Sequence, residues 1–250
     1  MQFSGSHTIA RILYHGYANT ITAVCPTTRI FSRGDRMNQA LNNWKNTLEA
    51  LPSLPVSVLR DGKTALVIVD MINGFLTEGP FASPRSASVL PAVEKLLCFA
   101  KENAIPAAAF ADCHKPDSIE FQAFPPHCLA GTSESEIAPS LCEIGGFTRI
   151  EKNSTNGFLT EGFQEFLAAN PDCERFVVCG VCTDICVMQF ALALKCYANQ
   201  QNRPLEVIVP VNAVETYDAP AHNADLMQTM ALQMLANAGI TLVREAEYDD

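Results

Sequence analysis

Three cysteines fall within eight positions of the stretch CGVCTDICV, residues 179–187. Thiols at this density could ligate a metal, cycle as a redox pair, supply one nucleophile, or pack as buried sulfur. Zinc ribbons and knuckles use two well-separated Cys-x₂-Cys pairs, and no second pair matches Cys179 and Cys182. A thioredoxin-like pair opens a helix after a loop, whereas Cys179 lies inside an apolar run of strand length. A nucleophile fits the local pattern better. Gly180 permits a tight turn, Thr183 or Asp184 suits a helix N-cap, and Cys186 then falls in the first helical turn. There the positive end of the helix dipole is expected to lower its pKa, and a nearby lysine to lower it further. Cys182 is less favourably placed for attack. Its backbone N–H, with that of Cys186, could face a developing oxyanion.

Other reactive types stand where apolar runs end. TALVIVD ends in Asp70, IPAAAFAD in Asp112 with Cys113 and His114 after it, and FTRIEK in Glu151 and Lys152. In open α/β sheets, ligands bind beyond the carboxyl ends of the strands. Two acids, a base, a histidine and a thiol are not a set that a core selects by itself.

The elements that must position them alternate regularly from Lys63 onward. Strand-length apolar runs at TALVIVD, IPAAAFAD, FTRIEK, RFVVCGV, LEVIVP and ITLV are separated by helical patterns at 87–103, GFQEFLAA, DICVMQFALALKCYA and HNADLMQTMALQMLANAG. Gly239 suits the C′ position of the last helix. Residues 113–146, with Pro116, Pro125, Pro126 and Gly131, read as a long loop. This alternation predicts an α/β fold of three layers, with a mainly parallel six-stranded sheet between helices. The strands are apolar throughout, as burial on both faces requires. Before them, Leu41, Trp44, Leu48 and Leu51 fall at helical spacing, and Pro52 and Pro55 end that helix. The expected organisation is an N-terminal extension over 1–62, with its amphipathic helix at 38–51, and one domain over 63–250.

Composition excludes several functions. The net charge is −10, opposite to the basic footprint of a nucleic-acid binder. Residues 1–62 hold six Lys/Arg and three Asp/Glu, so the remainder holds 11 and 24, a net of −13. No segment approaches the roughly 18 uninterrupted apolar residues of a membrane span. Ten cysteines in a chain this long, without a secretory h-region, read as free thiols in a reducing cytosol. Residues 1–36 carry four arginines against one acid, weakly like a transit peptide. The preferred reading is an unstructured leader, with Met37 as the working start.

VDMINGF, FADCH, FPPHCLAGT, IEKN and GVCTDICV, in this order, resemble the isochorismatase-like cysteine hydrolase superfamily. The resemblance covers about residues 64–245, and Asp-x-His followed by Phe-Pro-Pro-His narrows it to the nicotinamidases (pyrazinamidases). It implies a Rossmann-like fold and a catalytic triad of Asp70, Lys152 and Cys186, acting through a thioester. It implies an oxyanion hole from the backbone of Cys182 and Cys186, and a non-proline cis peptide at Val181–Cys182. A metal site of Asp112, His114 and His127 follows, with Glu120 as a fourth ligand. These oxygen and imidazole donors suit one divalent ion, Zn²⁺ first, Mn²⁺ or Fe²⁺ otherwise. Phe75 and Phe124 would line the ring pocket. The implied reaction is hydrolysis of nicotinamide to nicotinate and ammonia, in NAD salvage. The implied partner is this small amide, with no nucleic acid or membrane, and a homo-oligomer is the family's habit. Cys113 stands where the family often has an aromatic, and the single Trp, Trp44, lies outside the matched region. The preference among nicotinamide, pyrazinamide and other small amides is thereby left open. Two rivals remain: a metal-free sibling acting on another small amide or ether, and a non-catalytic thiol redox or metal-binding protein.

Overall fold

The computed structural model describes residues 33–248. The chain divides into two units, Met1–Gln39 and Ala40–Asp250, and of the first the described part is the start of helix α1. The leader expected over residues 1–36 lies, through residue 32, outside the described residues.

Among the described residues nine strands run in chain order: β1 Leu54–Pro55, β2 Thr64–Val69, β3 Ala107–Asp112, β4 Thr148–Lys152, β5 Arg175–Val181, β6 Glu206–Pro210, β7 Val214–Glu215, β8 Thr241–Val243 and β9 Ala246–Glu247. The helices are α1 Arg33–Glu49, α2 Asn73–Leu76, α3 Pro84–Ser88, α4 Leu90–Glu102, α5 Pro139–Ile144, α6 Glu161–Ala169, α7 Met188–Gln200 and α8 Ala224–Asn237. The main sheet has the order β4-β3-β2-β5-β6-β8, with β7 paired to β5, and every pairing is parallel. It therefore has seven strands rather than the expected six. The extra one is two residues long, below any length that alternation can reveal.

Period-two alternation explains the layers. Leu66, Ile68, Val177 and Cys179 face the core beneath α4, with Val93, Leu96 and Leu97. Their neighbours Ala65, Val67, Phe176 and Val178 face α6, α7 and α8, with Phe163, Phe190, Leu194 and Leu232. All six residues of β2 and all six of β3 are buried, the pattern of strands covered on both faces. Trp44, Leu48 and Leu51 pack on the second core, and the Trp44 indole N–H donates to the Thr229 carbonyl at 3.1 Å.

The stretch expected as one long loop, 113–146, holds the short helix α5 and two 3₁₀ turns. Pro139 at the helix start and Gly145 after its end confine α5 to six residues, too few to show periodicity.

The order reverses at β2 and β5: the chain runs outward from β2 through β3 to β4, then returns to β2's other side. Crevices beyond the strand ends at such a switch point are where open α/β sheets bind ligands. Asp70 follows β2 and the CTDICV turn follows β5.

Candidate active site

β2 and β5 approach so closely at Val69 and Gly180 that a Cβ on Gly180 would lie 2.0 Å from the Val69 carbonyl oxygen. Only glycine fits there, with φ at +110°. Just beyond, Val181–Cys182 is a cis peptide, and residues Thr183–Val187 form a wide π-helical turn that leads into α7. The Cys182 carbonyl closes this turn by accepting from the N–H groups of Ile185 and Val187. Neither Thr183 nor Asp184 caps the turn through its side chain, in contrast to the expected N-cap. Asp184 reaches Thr216 and His222 instead.

Cys186, Lys152 and Asp70 meet in the interior. Strand register puts Lys152 of β4 beside Asp112 of β3. The Lys152 ammonium lies 2.6 Å from Asp112 Oδ1, 2.9 Å from Asp70 Oδ2 and 3.6 Å from Cys186 Sγ. Asp70 is fully buried at φ +50°. Its pairing with Lys152 is close but poorly directed, and neither carboxylate oxygen has a hydrogen bond of good geometry. Burial therefore dominates: it pushes the Asp70 carboxyl up to about 6, Lys152 lowers it, and the Asp112 charge adds to the rise. Burial acts against the Lys152 charge too, but the two carboxylates outweigh it and hold the ammonium well above its ordinary value.

The Cys186 thiol corrects an expectation. Its pKa is raised well above the ordinary value, not lowered. Burial is the first cause; Lys152 opposes it, and Asp70 and Asp112 reinforce it. At rest this is a neutral thiol beside a carboxyl able to take its proton. Cys179, inside β5, is fully buried with its pKa raised by burial alone, and Cys182 is pushed up to about 12, also by burial first.

A second cluster adjoins the first through Asp112. One ligand atom each from Asp112, His114, Glu120 and His127 lies within 4.8 Å of all the others. Asp112 Oδ2 is 3.2 Å from His114 Nε2 and 3.4 Å from His127 Nε2, and Glu120 Oε1 is 3.7 Å from His114 Nε2. The outer nitrogens are engaged elsewhere. His114 Nδ1 lies 3.2 Å from Asn153 Oδ1, which also accepts from the Lys115 N–H. His127 Nδ1 lies 2.8 Å from the Pro125 carbonyl. Both acceptors place the hydrogen on Nδ1 and leave Nε2 with its lone pair turned inward. His114 Nε2 is buried without a hydrogen-bond partner. Such a donor set fits a divalent cation. Burial opposes the Asp112 charge, but the Lys152 ammonium at 2.6 Å outweighs it and holds the carboxyl well below the usual range.

Both clusters open on one pocket, lined by Phe75, Phe124, Phe81, Tyr217, Ile185 and Thr155 together with Asp112, Glu120, His127, Cys182 and Cys186. Its space, counted out to open solvent, is about 310 Å³. Of the residues expected in the site, Phe75, Phe124, Asp112, Glu120, His127, Cys182 and Cys186 line this pocket, and Asp70, Lys152 and His114 contact them from behind it; Cys113 and Glu151 are not among its lining. Phe81 and Tyr217 were not singled out. Phe81 sits at the centre of the aromatic wall, within 6.2 Å, centroid to centroid, of Phe75, Phe124, Tyr217 and His127. Both stand in short irregular segments, where no period marks a buried face.

The Isochorismatase domain family model matches residues 64–243. The chain belongs to the isochorismatase family of hydrolases. Nicotinamidase 1 of Arabidopsis thaliana is 32% identical over 223 residues, 78% of this chain and 91% of that one. The N-carbamoylsarcosine amidase of Thermoplasma acidophilum shares 26% identity with a TM-score of 0.62, over 75% of this chain and 99% of the other. The pyrazinamidase of Pyrococcus horikoshii, solved in complex with zinc, shares 25% identity with a TM-score of 0.58, over 72% and 98%. Within this isochorismatase-family hydrolase, β2–β8 and the pocket at their carboxyl ends all fall in the matched span.

Proposed function

We propose that the protein is a nicotinamidase, hydrolysing nicotinamide to nicotinate and ammonia through a thioester on Cys186, with Asp70 and Lys152 completing the triad. One observation carries the reading. The buried Lys152 ammonium contacts Asp70, Asp112 and Cys186 at once, so the nucleophile and the four-donor cluster face the same aromatic pocket. A metal-free sibling would have no need of two imidazoles turned inward beside a buried carboxylate. The likeness to the Arabidopsis thaliana protein named Nicotinamidase 1 supports the substrate class.

Asp70 takes the Cys186 proton as sulfur attacks the amide carbon, since a neutral thiol needs a base at the moment of attack. Lys152 holds its charge between the carboxylate and the forming thiolate. The oxyanion faces the backbone N–H groups of Cys182 and Cys186. As the C–N bond breaks, Asp70 returns the proton to nitrogen and ammonia leaves. Water then attacks the thioester, Asp70 accepts one of its protons and passes it to the departing Cys186 sulfur, and the acid leaves and gives its remaining proton to solvent. Asp112, His114, His127 and Glu120 would hold one divalent ion, zinc before manganese or iron, which when bound supplies a Lewis acid to grip a ring nitrogen. Phe75 and Phe124 would flank that ring. The same reaction would recycle nicotinamide for NAD salvage.

The test is ammonia release from nicotinamide by the purified chain, before and after chelation, beside Cys186→Ala. Activity that chelation removes, that divalent zinc restores and that the variant lacks supports the proposal. Activity indifferent to chelation would favour the metal-free sibling. Activity that survives in Cys186→Ala would sink the thioester route.

A further inference from the structure

A chain of four side chains outside the proposed catalytic and metal sets ties one wall of the pocket to the nucleophile turn. Tyr217 lines the pocket beside Cys182, Ile185 and Cys186. On one side its ring meets Phe81, with centroids 5.2 Å apart and planes at 56°. On the other it stacks on His222, with centroids 4.1 Å apart and planes within 9°. His222 is engaged at both ring nitrogens. Its Nδ1 lies 2.9 Å from the Tyr217 carbonyl, which can only accept, and its Nε2 lies 2.8 Å from Asp184 Oδ2. The other oxygen of Asp184 accepts from the Thr216 hydroxyl at 2.6 Å. Asp184 is buried, and it stands midway between Cys182 and Cys186 in the π-helical turn.

A histidine that only closed a loop would need one of these bonds. This one is held flat against an aromatic that faces substrate space, and its anchor sits on the turn that carries the thiol. The Tyr217 ring cannot swing aside without giving up the stack. If His222 followed it, a buried carboxylate would lose a donor. The pocket width on this side is therefore set by a braced ring and not by an adaptable side chain.

We propose that Tyr217 is a specificity-determining residue, and that His222 is a positioning residue acting through it, the pair restricting the pocket to planar amides one ring wide. The inference rests on the reading of the protein as an aromatic amidase. The experiment is steady-state hydrolysis of nicotinamide and of 5-methylnicotinamide by the full chain with zinc supplied, for the native protein, Tyr217→Ala, Tyr217→Phe and His222→Gln. In Tyr217→Ala, KM for nicotinamide should rise about tenfold with little change in kcat, the mark of lost binding to ring and transition state alike. The kcat/KM ratio should move toward the methylated amide by about tenfold, the scale on which one added methyl is discriminated. Tyr217→Phe, which keeps the ring and its stack, should recover most of the lost KM. His222→Gln should move KM and the ratio the same way by a smaller factor. A native chain active on nicotinamide, with KM and the substrate ratio unmoved in Tyr217→Ala, overturns the inference and leaves the amidase reading standing. A fall in kcat at constant KM in Tyr217→Ala and His222→Gln also overturns it, since that is a disturbed nucleophile turn. A native chain that hydrolyses neither amide overturns the amidase reading and the inference with it.

Discussion

Lys152 and Asp112 form a buried pair at 2.6 Å, and the same ammonium lies 3.6 Å from the Cys186 sulfur. Asp112 thus bonds the proposed triad with one oxygen and faces the imidazoles of the four-donor cluster with the other. Replacing it should disable both. Asp112→Asn is expected to weaken zinc binding by at least ~10-fold and to lower kcat/KM by more than ~100-fold. The decisive measurement is the rate at saturating zinc. The loss should persist there, because Lys152 would keep only Asp70 as a buried counter-charge. Full recovery with added zinc would show that the two clusters act independently.

Metal should follow the imidazoles and not the thiols. His127 contributes an inward Nε2, while Cys179 sits inside β5 with its sulfur 3.7 Å from the Val67 carbonyl. Zinc content by mass spectrometry or atomic absorption should collapse in His127→Ala. It should be unchanged in Cys179→Ala, which is expected to cost about 1 kcal/mol of stability as a small core truncation. Zinc that leaves with Cys179 would restore the thiol-metal reading of the CGVCTDICV stretch.

The pH profile should report Asp70. Its carboxyl is pushed up to about 6 by burial, against the opposing pull of Lys152. The base must be ionised to accept the thiol proton, so activity is present above that value and is lost as pH falls through it. On the acid side kcat/KM for nicotinamide should drop about tenfold per pH unit. Asp70→Asn should remove that limb together with most of the activity. An acid limb near pH 4, where an ordinary carboxyl titrates, would show that Asp70 is not the group concerned.

Much of this was legible because chain periodicity and local types agree. Asp70, Asp112 and Lys152 end or follow apolar runs, and a parallel sheet carries such ends to one edge. The proximity of Lys152 to Asp112 depends on the register of β3 against β4, which no single segment encodes. The thiol's pKa was misread for a related reason. The helix-dipole rule is local, whereas the burial that holds Cys186 neutral comes from the layers packed around it. Phe81 and Tyr217 escaped because isolated aromatics in short irregular segments carry no period. His222 gave no signal apart from Asp184, its partner 38 residues away.

Gly180 offers a test of how the site is positioned, independent of any side chain in it. Its φ of +110° and the 2.0 Å approach of a would-be Cβ to the Val69 carbonyl leave no room for alanine. Backbone cannot give way as a flexible side chain can, so β2 and β5 would have to part where Asp70 and the CTDICV turn begin. Gly180→Ala is expected to cost roughly 2–3 kcal/mol, as overpacking combined with a left-handed backbone position. In a domain of this size that lowers the thermal midpoint by about 5–10 °C. Activity should fall further than stability alone explains, because parting the strands moves Asp70 away from Cys186. Circular-dichroism melting paired with kcat at a temperature where the variant is fully folded separates the two effects. A folded Gly180→Ala with native kcat would mean that the strand contact is not what sets the Asp70–Cys186 geometry.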